Sequence, residues 1–257
     1  MKVLITAGGT SEKIDEVRAI TNHSSGQLGN SLAECFLARG HEVTYIMTPF
    51  AKHPEKQTNL TLLLIETTKN LEDALKQQLQ QCLFDAVIHS MAVSDFTTET
   101  ALTEQRLIEG LVQQLSKHRS LLHDNLTEII AQSIETIAKQ VQIDKKIHSD
   151  TDRLVLFLKK NPKLIAMIRQ LQPCAVFVGF KLLVDVSKEE LIQVGLTTLE
   201  KNQCDFVLAN DLTMIQGEQH QGFLIDKNKH VQIAQTKQEI AKLIVKNVEE
   251  KWRENEK

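Results

Sequence analysis

Short apolar runs alternate with amphipathic stretches along nearly the whole chain. VLITA, residues 3–7, stops at Gly8-Gly9, and EVTYIM, residues 42–47, stops at Thr48-Pro49. Runs this short, closed by turn-forming residues, predict strands. Between them Leu28, Leu32, Cys35 and Phe36 recur at helical spacing, and Gly40 is placed to end the helix. Strand, glycine loop, helix and strand make a βαβ unit. The alternation goes on. A short strand is expected at 60–66 and a helix over NLEDALKQQLQQC. FDAVIHSMAV, residues 84–93, reads as a buried strand running into Ser94-Asp95. Residues 99–140 are rich in Gln, Glu, Thr and Leu and predict mostly helix, with no long strand.

LVLFLKK (154–160) predicts a strand, and Asn161-Pro162 opens a helix after it. CAVFVGF (174–180) is the next strand. Ser187 followed by Glu190 predicts a capped helix start with a capping box. DFVLAN (205–210) is a further strand, 221–234 a hairpin turning at Lys227-Asn228-Lys229, and 237–252 an amphipathic helix. The expected fold is α/β: a Rossmann-like, mainly parallel sheet with helices on both faces and an antiparallel C-terminal extension. We expect a single nucleotide-binding domain over 1–257, with a helical or lid region at 99–150.

Composition narrows the classes. Apolar residues make up 42% of the 257 residues, charged residues 25%, and the net charge is -3. Such a chain has no strong basic field for nucleic acid or anionic lipid. No apolar run reaches membrane-spanning length and the N-terminus lacks a signal-peptide pattern, so a cytoplasmic protein is expected. Cys35, Cys82, Cys174 and Cys204 stand far apart among apolar neighbours and are expected to be reduced and buried. No metal-ligand cluster is visible.

Two stretches carry candidate chemistry. Gly8-Gly9 follows the first strand, where open α/β sheets bind ligands, although a plain turn also uses two glycines. The glycines at 8, 9, 26 and 29 do not form GxGxxG. The strand at 42–47 lacks the acidic end that a dinucleotide ribose requires. The single tyrosine, Tyr45, lies inside that strand, and no Walker A lysine exists. An NAD(P)-dependent reductase therefore has little support. TNHSSGQLG, residues 21–29, is richer. Ser24 or Ser25 can cap the following helix, whose free N–H groups attract phosphate or carboxylate. Asn22 adds a donor and an acceptor. A plain cap accounts for serine and glycine but does not require Asn-His-Ser-Ser-Gly together.

With that stretch in view, the chain resembles the phosphopantothenoylcysteine synthetase (phosphopantothenate–cysteine ligase) family in its stand-alone form, which has no preceding flavin-dependent decarboxylase domain. The matching segments are ITAGGTSEKIDEVRAITNHSSGQLG, AVSDF at 92–96, KIHSD at 146–150, KKNPKLI at 159–165, GFKLL at 179–183 and CDFVLANDL at 204–212. Each is weak alone; their order and spacing carry the signal. The resemblance implies a ligase in coenzyme A biosynthesis that joins 4'-phosphopantothenate to L-cysteine through an acyl-nucleotide. It implies CTP or ATP as cosubstrate, Mg²⁺ with the triphosphate, and a homodimer. Carried over residue by residue, it implies that Asn22 contacts the acyl intermediate and that Lys146, with Lys145 as close rival, holds the triphosphate. Ser24, Ser25 and Gly26 fall on the phosphate-facing helix start, and Gly8, Gly9 and Thr10 on the first loop. Ala92 and Asp95 line the nucleotide and acyl pocket, Phe180 and Lys181 lie beside the base, and Asn210 lies on the nucleotide side, where Asp211 could instead cap the turn. Met91 stands where many relatives have alanine. GFKLL is nearer the eukaryotic form of its motif than the bacterial one, which leaves CTP against ATP open. A non-catalytic nucleotide-binding protein is the other alternative; it needs neither the lysine nor an acyl pocket.

Overall fold

A computed structural model describes residues 1–117, 125–140, 152–217 and 219–256. The chain divides into two compact units, one of Met1–Thr10, Asn22–Val93 and Lys163–Lys257, the other of Ser11–Thr21 and Ser94–Pro162.

The first unit is built on an eight-stranded sheet. Its strands are β1 (Lys2–Ala7), β4 (Glu42–Met47), β5 (Leu60–Leu64), β6 (Ala86–His89), β9 (Val176–Leu183), β10 (Phe206–Gln216), β11 (Gln219–Asp226) and β12 (Val231–Thr236), β2, β3, β7 and β8 belonging to the other unit. Their order is β12-β11-β10-β9-β6-β1-β4-β5. From β5 across to β10 every pairing is parallel; β11 and β12 add the antiparallel end. The chain steps outward from β1 through β4 to β5, then returns to β6 on the other side of β1. That reversal opens a crevice beyond the carboxyl ends of β1 and β6.

Period-two alternation decides which helix each strand residue meets. Val3, Ile5 and Ala7 of β1 pack in one core with α1 (Gln27–Ala38) and α7 (Lys237–Asn255), through Leu32, Phe36, Ile240, Ile244 and Val248. Leu4, with Ile46, Val87 and Phe177, packs in a second core on the other face. There it meets α2 (Thr68–Gln81), α5 (Leu164–Leu171) and α6 (Lys188–Asn202). Both faces are covered, so the parallel strands read as continuous apolar runs. Opposite this crevice, Asp205 pins β10 to β9. It accepts from the Phe177 backbone N–H at 2.8 Å and pairs with Arg169 and Lys227, each at 2.7 Å.

The second unit holds a hairpin of β2 (Ser11–Lys13) and β3 (Ala19–Thr21), and an antiparallel pair of β7 (Phe96–Thr103) and β8 (Leu154–Lys160). Helices α3 (Glu104–Lys117) and α4 (Leu126–Gln140) follow β7. Gly110 lets them close up, since a Cβ there would lie 2.9 Å from the Ile137 side chain.

Most expected elements are present, including both arms of the C-terminal hairpin and the Ser187 cap, whose hydroxyl accepts from the Glu190 N–H at 3.1 Å. Several details differ. The region expected to lack a long strand contributes most of β7, because its β-branched threonines find a partner, β8, far along the chain. The strand expected over 84–93 ends at His89; residues 90–93 turn toward the loop after β1 instead. Arg39 is the C-cap of α1, with Gly40 following at φ 80°. All four cysteines are free, but only Cys204 is buried, and Cys35 is partly so. Cys82 and Cys174 are exposed because each sits at an element end, after α2 and before β9.

Leu71 is fully buried against the second core, whereas Phe50 is 98% exposed. Leu71→Ala should lower the unfolding free energy by about 2–5 kcal/mol, and Phe50→Ala by no more than ~0.5 kcal/mol. Urea denaturation of the two variants checks the contrast.

Candidate functional site

The loops after β1 and β6 are joined to each other. Gly9 and Ala92 form a parallel bridge, the Ala92 N–H donates to the Gly8 carbonyl at 2.9 Å, and the Thr10 N–H donates to the Ala92 carbonyl at 3.1 Å. Asn22 is added to this knot. Its N–H donates to the Thr10 carbonyl at 3.3 Å, and its Nδ2 reaches the Ala92 carbonyl at 3.4 Å.

Gly8 and Gly9 therefore serve the protein's own packing. Gly8 has φ +93°, and a Cβ on it would lie 2.3 Å from Thr48 Oγ1. A Cβ on Gly9 would lie 2.0 Å from the Asn22 carbonyl oxygen. Thr10 is fully buried, and its hydroxyl accepts from Thr68 at 3.3 Å. None of the three lines the neighbouring cleft. The glycine pair marks the right end of the sheet, but its close approach is to Thr48 and Asn22.

The cleft, of about 330 Å³, lies in the first unit beside the first turn of α1. The structure brings Ser24, Ser25, Gly26, Ala92, Phe180 and Asn210 to its wall, together with Met91. Asn22 is half-buried one residue before the lining stretch 23–29. Lys181 stays outside, since strand alternation turns it to the face opposite Phe180 and Leu182. Asp95 belongs to the second unit, where its carbonyl accepts from the Asn161 N–H at 2.8 Å. Lys145 and Lys146 lie outside the described residues.

The serine cap expected for α1 is replaced by something more open. The N-cap is Gly26, left-handed at φ 70°, and it makes no side-chain cap. Ser25 Oγ stands 3.5 Å from the Gln27 N–H, at the limit of a hydrogen bond. No acidic residue occupies the first turn. Gln27, Leu28 and Gly29, whose N–H groups have no intrahelical acceptor, all line the cleft. By contrast, α2, α6 and α7 are capped by Thr67, Ser187 and Thr236. The open turn presents donors and the positive end of the helix dipole to the cleft.

Across the cleft, β10 changes register against β11 between Asn210 and Ile215. Such a shift re-aims side chains. Asp211 braces it: the carboxylate accepts from the Asp185, Val186 and Thr213 N–H groups at 3.2, 2.9 and 2.8 Å, and from the Thr213 hydroxyl at 2.7 Å. These donors hold its pKa down at about 2. Asp211 thus takes the turn-capping place that sequence reading left open for it. The shift brings Asn210 Nδ2 to 3.0 Å from His220 Nε2.

His220 and Lys237 line the cleft and were not foreseen. The signal for His220 was its place in QHQGFLID, two residues before Gly222 and so on the buried parity of β11. Burial, and secondarily the Lys237 ammonium, push the His220 pKa down to about 4. Among the described residues, no Asp or Glu lines the cleft. Its fixed charges and dipoles favour an anion, and Phe180, Leu182, Leu212 and Ile215 supply apolar wall.

Comparison with known proteins follows the same outline. The model of the DNA/pantothenate metabolism flavoprotein C-terminal domain matches residues 1–128 and 136–251. A coenzyme A biosynthesis bifunctional protein CoaBC from Thermococcus kodakarensis is 30% identical over 249 residues, 96% of this chain and 51% of that protein. The chain spans about half the length of the curated CoaBC relatives it matches. Among solved structures, the DNA/pantothenate metabolism flavoprotein from Streptococcus pneumoniae aligns with a TM-score of 0.80 at 38% identity, covering 97% of this chain and 98% of that one. A Cab2 variant in complex with phosphopantothenate-cysteine shares the fold, with a TM-score of 0.70 at 19% identity over 100% of this chain and 89% of that one.

A Cβ on Gly26 would meet Ala51 Cβ at 2.8 Å, at a left-handed backbone position. Gly26→Ala should destabilise the fold by about 1–3 kcal/mol, read by urea denaturation. Asp211 carries a second prediction. A carboxylate whose folded pKa lies below the ordinary aspartate value stabilises the fold above that value and loses the contribution as pH falls toward about 2. Asp211→Asn should therefore be less stable at neutral pH, with a smaller further loss on acidification than the parent. Circular dichroism melts between pH 7 and 2 measure both.

Proposed function

The chain belongs to the DNA/pantothenate metabolism flavoprotein C-terminal domain family, and from that premise we propose that it is a phosphopantothenate–cysteine ligase. The observation that carries the reading is the uncapped first turn of α1 opening into a cleft that no described acidic side chain lines, with Asn22 tied beside it. That is a place for a phosphorylated acid. In the first step a carboxylate oxygen of 4'-phosphopantothenate attacks the α-phosphorus of a nucleoside triphosphate. The bond from that phosphorus to the β-phosphate oxygen breaks, and pyrophosphate leaves. In the second step the amine of L-cysteine attacks the acyl carbon. The acyl–oxygen bond breaks, the nucleoside monophosphate departs and the amine loses a proton.

Asn22 suits the acyl group. An amide held by its backbone N–H and by one Nδ2 contact can donate to a carbonyl oxygen as negative charge gathers on it. The α1 turn binds phosphate through its N–H groups. Phe180 offers a flat apolar face to a base or to the pantoyl chain. Lys146, or its neighbour Lys145, is the proposed triphosphate cation. CTP is the proposed nucleotide, with ATP the alternative that the GFKLL motif keeps in play. Mg²⁺ would neutralise charge on the triphosphate; no carboxylate among the described residues lines the cleft to hold it. We place the reaction in the cytoplasm. No described helix is long and apolar enough to cross a membrane. A homodimer is also proposed, supported by exposed apolar side chains of the first unit: Leu182, Leu212 and Met214 on the neighbouring strands β9 and β10, and Val184 just past β9.

The test is pyrophosphate release with 4'-phosphopantothenate and Mg²⁺, with CTP and ATP assayed separately, with and without L-cysteine. We expect release with CTP and, in the presence of L-cysteine, the amide product by mass spectrometry. Product with ATP alone would keep the ligase and overturn the nucleotide preference; no product with either would overturn the ligase. Asn22→Ala and Lys146→Ala should each lose roughly 10²–10³ in kcat while staying folded by circular dichroism. Sedimentation velocity reads the oligomeric state, and a monomer at assay concentration would remove the dimer.

A further inference from the structure

Among the described residues, His220 is the histidine whose ring carries a buried nitrogen without a partner. It is 5% exposed, lines the cleft, and its Nδ1 has no hydrogen-bond partner. The other ring nitrogen is engaged, with Nε2 lying 3.0 Å from Asn210 Nδ2. An amide nitrogen only donates, so Nε2 must be the acceptor there. A neutral imidazole that accepts at Nε2 carries its proton on Nδ1. Burial and the Lys237 ammonium keep the ring neutral at physiological pH, with a pKa of about 4. A buried N–H donor left unmade costs stability, so such a group in a ligand cleft points to a ligand acceptor.

The chemistry of that acceptor follows from the surroundings. Lys237 lines the same wall, its ammonium donating to the Gly217 carbonyl at 2.6 Å. Among the described residues, no carboxylate lines the cleft to compete for the donor. We propose that His220 is a ligand-binding residue, its Nδ1–H taking an oxygen of a phosphorylated ligand while its Nε2 holds the Asn210 amide in place. The inference rests on the ligase reading and extends it to the far wall of the cleft. That wall is assembled by the register shift after Asn210, and His220 lies outside every segment that carries the family resemblance.

Two substitutions separate the two nitrogens. Glutamine sets an oxygen near the Nε2 position and can still accept from Asn210, but it loses the Nδ1 donor. Asparagine sets an N–H near Nδ1 and loses the Nε2 acceptor. His220→Gln should raise the KM of one phosphorylated substrate, CTP or 4'-phosphopantothenate, roughly three- to tenfold. The KM for L-cysteine should stay unchanged. His220→Asn, which retains one donor, should raise that substrate's KM less than His220→Gln does. Long-range ¹H–¹⁵N correlation spectra of the unsubstituted protein give an independent readout, with His220 assigned by difference against His220→Gln. The expected result is a proton on Nδ1 and an Nδ1 resonance that moves on saturation with the same substrate. A proton on Nε2, or an Nδ1 resonance and KM values indifferent to both phosphorylated substrates in an enzyme that turns over, would overturn the role of His220 alone. A parent protein that binds neither substrate and makes no product would overturn the ligase reading and this proposal together.

Discussion

Much of the site depends on how closely the first turn of α1 lies on the sheet. A Cβ on Gly29 would sit 2.5 Å from Ala7 Cβ and 3.1 Å from the Tyr45 hydroxyl, so only glycine allows that approach. Gly26 meets the segment at Ala51 in the same way, and the Lys52 N–H donates to the Ser25 carbonyl at 2.9 Å. Tyr45, fully buried, closes the arrangement by donating to the Lys52 carbonyl at 2.9 Å. The helix start is thus fixed by glycines and backbone contacts. No side chain has to cap it, and its N–H groups stay available to the cleft. Close packing has left open an end that α2, α6 and α7 each close with a side chain.

A second constraint acts through the loops. The Ala92 carbonyl accepts from the Thr10 N–H and lies within reach of the Asn22 amide, so the loops after β1 and β6 and the approach to α1 share one acceptor. Asn22 is held from both its backbone and its side chain before any ligand arrives. In the proposed reaction, preorganisation of this kind would remove the cost of orienting a polar group. On the other wall, Asp211 gathers three backbone N–H groups and a hydroxyl, which fixes the departure of β10 from regular pairing and the direction of Asn210 beyond it.

These two walls account for the character of the cleft. The lining joins an unfilled helix terminus to Asn210, His220 and Lys237, and apolar residues of β9 and β10 lie among them. Phosphate at the helix turn and an oxygen acceptor opposite it are what such a surface can bind.

The sequence by itself determined the alternation of strands and helices, both faces of the parallel sheet, the C-terminal hairpin and the helix start within residues 21–29. Those features rest on periodicity, turn residues and local caps, which act over a few positions. It also named Ser24, Ser25, Gly26, Ala92, Phe180 and Asn210, all of which reach the cleft. Tertiary structure alone decided that Gly8 and Gly9 are spent on Thr48 and Asn22, and that α1 is left uncapped. It decided equally that Lys181 faces away and that His220 comes to Asn210. It paired β7 with β8 across a long stretch of chain and brought out Cys82 and Cys174 at element ends. Each of these depends on which distant atom occupies the space beside a residue, and a single chain's pattern of apolar and polar positions does not carry that information.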